Sequence, residues 1–195
     1  MILPYSTIIN GSPTYFVEKI LKGMLNEYEK TDHEKYIGTV GHLYDAGDFL
    51  NYMYVDDFLA KVDSVNPKLH TVREDLKERW KVGTKIDFFI NVRQPNMYRF
   101  APVLPVVSTQ KIEFIWKENT ENHTCLGTKF DRICTIKIDD RFYGDAYLFN
   151  GSVVSSSYTI PTFANNDGFD TPDELFAYFN KNFKGKIIHW TDLRY

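Results

Sequence analysis

The sequence predicts an α+β fold: a small mixed β-barrel with two or three short flanking helices and an inserted helical element. Three observations lead there. Short apolar runs bounded by Gly, Pro, Asn or Asp recur through the second half, a strand pattern more than a helical one. Aromatic residues make up 16% of the 195 residues, mostly Phe and Tyr, which suits pleated sheets better than helix bundles. The helical patterns are few and short, and they do not alternate with strands as a βαβ sheet requires. An apolar content of 43% allows a sizeable core, and the length fits one domain over 1–195.

Taken in order, residues 3–9 read as a strand that stops at Asn10-Gly11, a turn signal. Ser12 then caps a helix with Pro13 at its first position. Phe16, Val17, Ile20, Leu21 and Met24 fall on one buried stripe, with Lys19 and Lys22 on the wetter side. Residues 26–66 are less legible. They begin charged and polar through His33, and Asp48 reads as the cap of a second helix running to Lys61. Phe49, Met53, Phe58 and Leu59 would form its apolar face. This is an inserted element and not a second domain, because roughly 40 residues seldom bury enough surface to stand alone.

Strands follow at 85–92, with Ile86, Phe88 and Ile90 on one face, then at 103–107, 111–116, 133–138, 147–149 and 152–159. Thr171-Pro172-Asp173-Glu174 is a capping box with proline at the first helical position. It launches an aromatic helix bearing Leu175, Phe176, Phe179 and Phe183, which Gly185 stops. A last strand over 186–195 carries Ile187, Trp190 and Leu193.

Charge and motifs narrow the function. The formal net charge is −3, yet residues 67–100 hold eight Lys and Arg against four Asp and Glu. A locally basic, globally acidic chain fits the reader of a small anionic group better than a wrapper of long nucleic acid. Cys125 and Cys134 have neither CxxC spacing nor a histidine at ligand distance, which excludes a zinc ribbon or a disulfide scaffold. His33, His42 and His123 show no metal spacing. No phosphate loop, G-x-S-x-G, H-E-x-x-H or EF-hand is present, so no cofactor or metal is expected. The opening residues lack the flank and core of a signal peptide, and no apolar run nears the ~20 residues that span a bilayer. The expectation is a reduced, cytoplasmic protein with no membrane partner. There the Asn122-His123-Thr124 sequon would meet no glycosylation machinery.

The densest chemistry lies in Lys68-Leu69-His70-Thr71-Val72-Arg73-Glu74-Asp75, which collects a lysine, a histidine, a hydroxyl, an arginine and two carboxylates. Two readings stay open: a ligand site, or a solvated strand edge with a polar turn. Arg73 has the planar fork that grips phosphate or carboxylate. Trp80 serves either as a base-stacking platform or as an apolar lid. His70, His189 and Trp190 read as strand residues turned toward the core. Asp167, in Asn166-Asp167-Gly168, reads equally as a turn former. Residues 68 and 71 are an odd number apart and would face opposite ways on an ideal strand, so they converge only if Lys68 lies in the preceding loop, as Pro67 suggests, or a bulge intervenes.

The order Lys68-x-x-Thr71-Val72-Arg73, then Trp80-Lys81-Val82-Gly83-Thr84-Lys85-Ile86, resembles the ASCH domain family of the PUA-like β-barrel superfamily. Asp167-Gly168-Phe169 with its capped helix, and the closing Lys186-Ile187-Ile188-His189-Trp190-Thr191-Asp192, look like the rest of such a domain. The first strand and helix, ending at Lys22-Gly23, match its beginning. In most members that helix leads directly to the Lys-x-x-Thr-x-Arg segment. Here residues 24–67 intervene, an insertion suited to capping the cleft or meeting a partner. Similar chains of this length occur in bacterial and phage genomes.

The resemblance implies a nucleotide- or RNA-binding protein whose cleft takes a modified nucleobase, nucleoside or nucleotide. Lys68, Thr71, Arg73 and Asp167 would line it, with Lys22 and Trp80 at the rim and Lys81 as a further RNA contact. The alternative it implies is a small amidohydrolase that removes the acetyl group from N4-acetylcytidine. There the family's lysine falls on Lys68, its threonine on Thr71 and its acid near Asp167, where the family usually has Glu. Threonine needs a nearby base to become a nucleophile. Lys68 would serve if burial or the neighbouring Arg73 or Lys81 lowered its pKa, while Asp167 orients the amine or moves a proton. A third reading is a protein-interaction module whose working surface is the 24–67 insertion.

Overall fold

The computed structural model describes residues 1–121 and 123–195; Asn122 of the sequon lies outside the described residues. Alternation of buried and exposed residues starts at once in β1 (Ile2–Tyr5), where Leu3 and Tyr5 point inward. A short hairpin follows, β2 (Ile8–Ile9) and β3 (Ser12–Pro13), turned at Asn10 and Gly11, both at positive φ. Ser12 and Pro13 therefore pair in the hairpin instead of opening a helix. Thr14 secures it, its N–H donating to the Thr7 carbonyl and its hydroxyl to that of Ser6. Helix α1 (Phe16–Thr31) begins three residues later than expected, behind Tyr15 in the left-handed region. Its apolar stripe is buried as predicted, but Lys19 is buried with it.

The insertion is two helices. Asp32 caps α2 (His33–Phe49), its carboxylate accepting the Lys35 N–H at 3.1 Å, and α3 (Val55–Ser64) follows. Asp48 lies at the end of α2 and not at the start of a second helix, because the chain breaks at residues 50–54, with Asn51 at positive φ. Phe58 and Val62 bury themselves with Leu43 and Ala46 against α1, whereas Met53 is 81% exposed and contributes no core face. The insertion returns to where it left. The Lys68 N–H donates to the Lys19 carbonyl at 2.9 Å, and a Cβ on Gly23 would stand 2.7 Å from the Lys68 carbonyl oxygen.

From there β4 (His70–Arg73), β5 (Lys85–Ile90), β6 (Tyr98–Arg99) and β7 (Leu104–Pro105) lead to the long β8 (Ser108–Glu118). β1 runs parallel to β5, which also pairs antiparallel with β6 and β7, giving a small mixed sheet. After a short hairpin of β9 (Thr124–Cys125) and β10 (Thr128–Lys129) come β11 (Arg132–Ile138), β12 (Arg141–Phe149) and β13 (Ser152–Ser156). Then α4 (Thr159–Asn166), α5 (Pro172–Tyr178) and β14 (Phe183–His189) complete the elements. Six strands form one antiparallel sheet in the order β13-β12-β11-β8-β14-β4. It is curled but open, a half-barrel whose edge strands β4 and β13 do not pair with each other. The α+β expectation holds, while this sheet does not close on itself.

Two endings differ from expectation for packing reasons. The predicted strand 152–159 gives way to α4, where Ile160, Phe163 and Ala164 bury themselves and Pro161 sits harmlessly in the first turn. The capping box does launch α5, with the Thr171 hydroxyl accepting the Glu174 N–H. That helix stops at Tyr178, and Phe183 and Gly185 belong to β14. Paired with β8 on one side and β4 on the other, β14 gains more as a central strand than as a helical turn. A Cβ on Gly185 would collide with the Arg73 carbonyl of β4.

The return of the chain beside Gly23 yields a stability prediction. Gly23→Ala forces α1 away from the Lys68 backbone and should cost about 1–3 kcal/mol in denaturant unfolding. Gly38→Ala, on the exposed side of α2 where an added Cβ would meet nothing within 4 Å, should be neutral or stabilising by up to about 1 kcal/mol.

Candidate functional site

The position of Lys68 follows from two backbone hydrogen bonds. Its N–H is held by α1, and the next N–H, of Leu69, donates to the Asn166 carbonyl at the end of α4 at 2.9 Å. Because Lys68 precedes β4, strand alternation does not bind it. It lines one cavity together with Thr71, Arg73 and Asp167, closed by Phe16 and Phe169, with a volume of about 40 Å³. The Lys68 side chain is 2% exposed. Burial lowers its pKa to about 8, an effect that the Asp167 carboxylate partly offsets.

Asp167 ends α4. Gly168, at φ +89°, donates its N–H to the Asn165 carbonyl, and Phe169 donates to Ala164, the paired bonds of a Schellman stop. The turn reading holds for the backbone, and the carboxylate meanwhile points inward to the cavity lined by Lys68 and Thr71. One oxygen, Oδ1, accepts from Lys68 Nζ at 2.8 Å and from the Val72 N–H at 3.1 Å, and stands 3.5 Å from His70 Nδ1. Lys68 Nζ also donates to the Asp167 carbonyl. Burial pushes the Asp167 carboxyl up, but Lys68 and His70 outweigh it and hold the group below the usual range. Gly168 has a second duty, since a Cβ there would lie 2.8 Å from Lys68 Cδ and 2.9 Å from the Phe16 ring.

Behind the carboxylate lies a buried polar arm. His70 Nε2 is 2.7 Å from the Tyr195 hydroxyl, which accepts from the Asn166 side-chain N–H at 3.0 Å. His189 packs beside His70 with ring centroids 5.4 Å apart, and neither of its nitrogens has a hydrogen-bond partner. Burial depresses both histidines, His189 to about 3.

The other residues singled out by sequence scatter. Arg73 stays at the cavity, donating to the Pro4 carbonyl at 2.8 Å with its guanidinium over the Tyr5 ring. Lys22 is drawn away, its ammonium closing the end of α3 through the Asp63 and Val65 carbonyls. Trp80 is 5% exposed within the core and presents no face for a base to stack on. Lys81 is exposed in the turn before β5, where its N–H meets the Thr84 hydroxyl. Asp75 belongs to that turn as well, accepting the Arg79 and Trp80 N–H groups and an ion pair from Lys186.

Two further residues stand at the site: Lys19, which the sequence pattern placed on the wetter side of α1, and Tyr5, which it did not mark. Lys19 is buried, donating to the Gly168 carbonyl at 2.9 Å and to Asp170 at 2.8 Å. It lines a second cavity of about 130 Å³ that shares Ile9, Phe16 and Phe169 with the first and is otherwise walled by residues such as Pro13 and Asp170. Its signal was present, because Phe16, Lys19 and Gly23 recur at helical spacing on the edge of the buried stripe. The Tyr5 phenol is buried, has no hydrogen-bond partner among the described residues and lies beside Thr71 and Arg73, and burial drives its pKa upward. No periodicity distinguishes it from any other inward strand residue.

Comparison of the chain with protein-family models, curated proteins and solved structures found no match. Among the described residues, no group of three or more His, Cys, Asp or Glu side chains is arranged to hold a metal ion, and no helix is long and apolar enough to cross a membrane.

The buried histidines determine an acid response. Unfolded, each titrates near 6.5; folded, both resist protonation, so stability is fully present above about pH 6.5 and declines as the pH falls below it. The slope should reach about 1.4 kcal/mol per pH unit for each histidine, the His189 share continuing toward pH 3. Thermal melts between pH 7.5 and 4.5 should show that decline, and a folded His189→Leu variant should show a shallower one.

Proposed function

We propose that this chain is a PUA-like protein of the ASCH kind that works as a small amidohydrolase, removing a short acyl group from the exocyclic amine of a nucleobase, with N4-acetylcytidine as the representative substrate. The carrying observation is a buried lysine amine with a pKa near 8 that shares one cavity with a threonine hydroxyl and an aspartate. Cavity sizes support the same reading. At roughly 10–15 Å³ per water-sized atom, 40 Å³ holds about three heavy atoms, an acetyl group, and the adjoining 130 Å³ holds about ten, enough for a cytosine ring.

In the proposed reaction, neutral Lys68 takes the Thr71 hydroxyl proton as Oγ1 attacks the acyl carbon. Arg73 and the partnerless Tyr5 phenol flank Thr71 and donate toward the developing oxyanion. Lys68 then returns its proton to the departing amine as the C–N bond breaks, leaving an acyl ester on Thr71. Water, deprotonated by Lys68, cleaves the ester, and the acid and free threonine are released. Asp167 steadies the ammonium form of Lys68 between transfers.

Binding of an RNA strand, the other expectation, draws less support, since Trp80 is buried and Lys22 and Lys81 stand away from the cleft. A partner surface on the 24–67 insertion rests on the exposed Ile37, Met53 and Tyr54.

The test is incubation of the purified chain with N4-acetylcytidine and a panel of N-acylated nucleosides, followed by chromatography for the free amine. Thr71→Ala and Lys68→Met should each reduce kcat by about 10²–10⁴-fold, and turnover that survives Thr71→Ala removes the nucleophile from the proposal. Since the base form of Lys68 is the neutral one, kcat/KM should rise with pH through about 8 and level off above it.

A further inference from the structure

The arm formed by His70, Tyr195 and Asn166 has no role in the reaction as written, yet it is buried against the reacting pair. Donor counting determines its protonation. The Asn166 amide N–H donates to the Tyr195 oxygen, and His70 Nε2 is the one acceptor within reach of the phenolic hydrogen among the described residues, so that hydrogen points to it. His70 Nε2 is then an acceptor, and the ring proton sits on Nδ1, which faces Asp167 Oδ1 at 3.5 Å. The opposite tautomer would aim a nitrogen lone pair at a carboxylate inside a site closed to water, which is unfavourable.

We propose that His70, locked by Tyr195 as its Nδ1–H tautomer, is a positioning residue that holds the Asp167 carboxylate whenever Lys68 gives up its proton. This rests on reading Lys68 as the base of the proposed reaction and Asp167 as the carboxylate that steadies its ammonium form. While Lys68 is an ammonium, Oδ1 has the Lys68 and Val72 donors and the His70 contact stays long. Once Lys68 is neutral, the ionic partner is lost and the carboxylate would be under-compensated. The His70 N–H is the donor positioned to tighten onto it, and in doing so it makes the neutral amine easier to reach. The other groups near the ring do not compete for the role. His189 is held neutral by burial, Tyr195 is driven up by burial and donates, and Arg194 and Asp139 act mainly on His189.

Two measurements test this, one of them independent of any substrate. Nitrogen-15 NMR of imidazole-labelled wild-type protein should show His70 with a protonated Nδ1 and a bare Nε2 near neutral pH. Tyr195→Phe, which keeps the ring and removes the hydroxyl, should weaken that preference. In protein labelled with carbon-13 lysine, with Lys68 assigned by Lys68→Arg, the Lys68 midpoint should rise by half a pH unit or more in Tyr195→Phe and His70→Leu. It should stay near the wild-type value in His70→Asn, whose amide N–H replaces Nδ1–H. The midpoint of kcat/KM should move in parallel. A His70 protonated at Nε2, or a Lys68 midpoint unmoved in folded Tyr195→Phe, overturns the positioning role. Should the tautomer and the titration behave as stated while no acylated nucleoside is hydrolysed, the proposed function fails and the His70 assignment stands.

Discussion

A lysine ammonium and an aspartate carboxylate 2.8 Å apart, both almost wholly removed from water, impose the main constraint on this structure. Removing either partner of such a pair leaves an uncompensated buried charge, typically worth about 3–5 kcal/mol of destabilisation. The pair therefore dictates what surrounds it. The Lys68 backbone is tied to α1, the Leu69 N–H to the end of α4, and Asp167 reaches the N–H of Val72 in β4. Three elements far apart in the chain are fastened at one point.

The end of α4 explains why that point tolerates so much charge. A helix terminates in carbonyls with no partner of their own and carries a partial negative charge there. Lys68 donates to the Asp167 carbonyl and Lys19 to the Gly168 carbonyl, so two ammonium groups approach the helix end from opposite sides of one glycine. Each ammonium also has a carboxylate, Asp167 for Lys68 and Asp170 for Lys19. The two cavities share the walls made by Ile9, Phe16 and Phe169. Fold and candidate chemistry thus share one solution to the problem of buried charge.

Much of the local structure could be read along the chain because its causes are local. The stripe on α1, the capping box at Thr171 and the alternation in β5, β8 and β11 depend on neighbours within a few residues. The errors arose where a local signal met a stronger distant one. Ser12-Pro13 has the form of a helix start, but pairing with Ile8 and Ile9 claims it for the hairpin. Phe183 continues a helical pattern that Gly185 would stop, yet pairing with β8 holds both extended. Trp80 and Lys81 looked alike as candidate contacts, and burial separated them.

Within the candidate site the same division holds. Residue types marked the Lys68–Asp75 segment, with its amine, hydroxyl and fork of donors, whereas Asp167 joined the candidates only through the family resemblance and otherwise read as a turn former. What the sequence by itself determined was this chemical inventory, the strand-rich α+β character and the punctuation by caps and turns, all set by short-range sterics and hydrogen bonding. Only the tertiary structure decided that Lys68 escapes strand alternation, that Lys19 is inside and Lys22 outside, and that His70, Tyr195 and Asn166 stand behind Asp167. Those outcomes depend on dielectric surroundings and on contacts between residues as much as 151 positions apart, which no local pattern encodes.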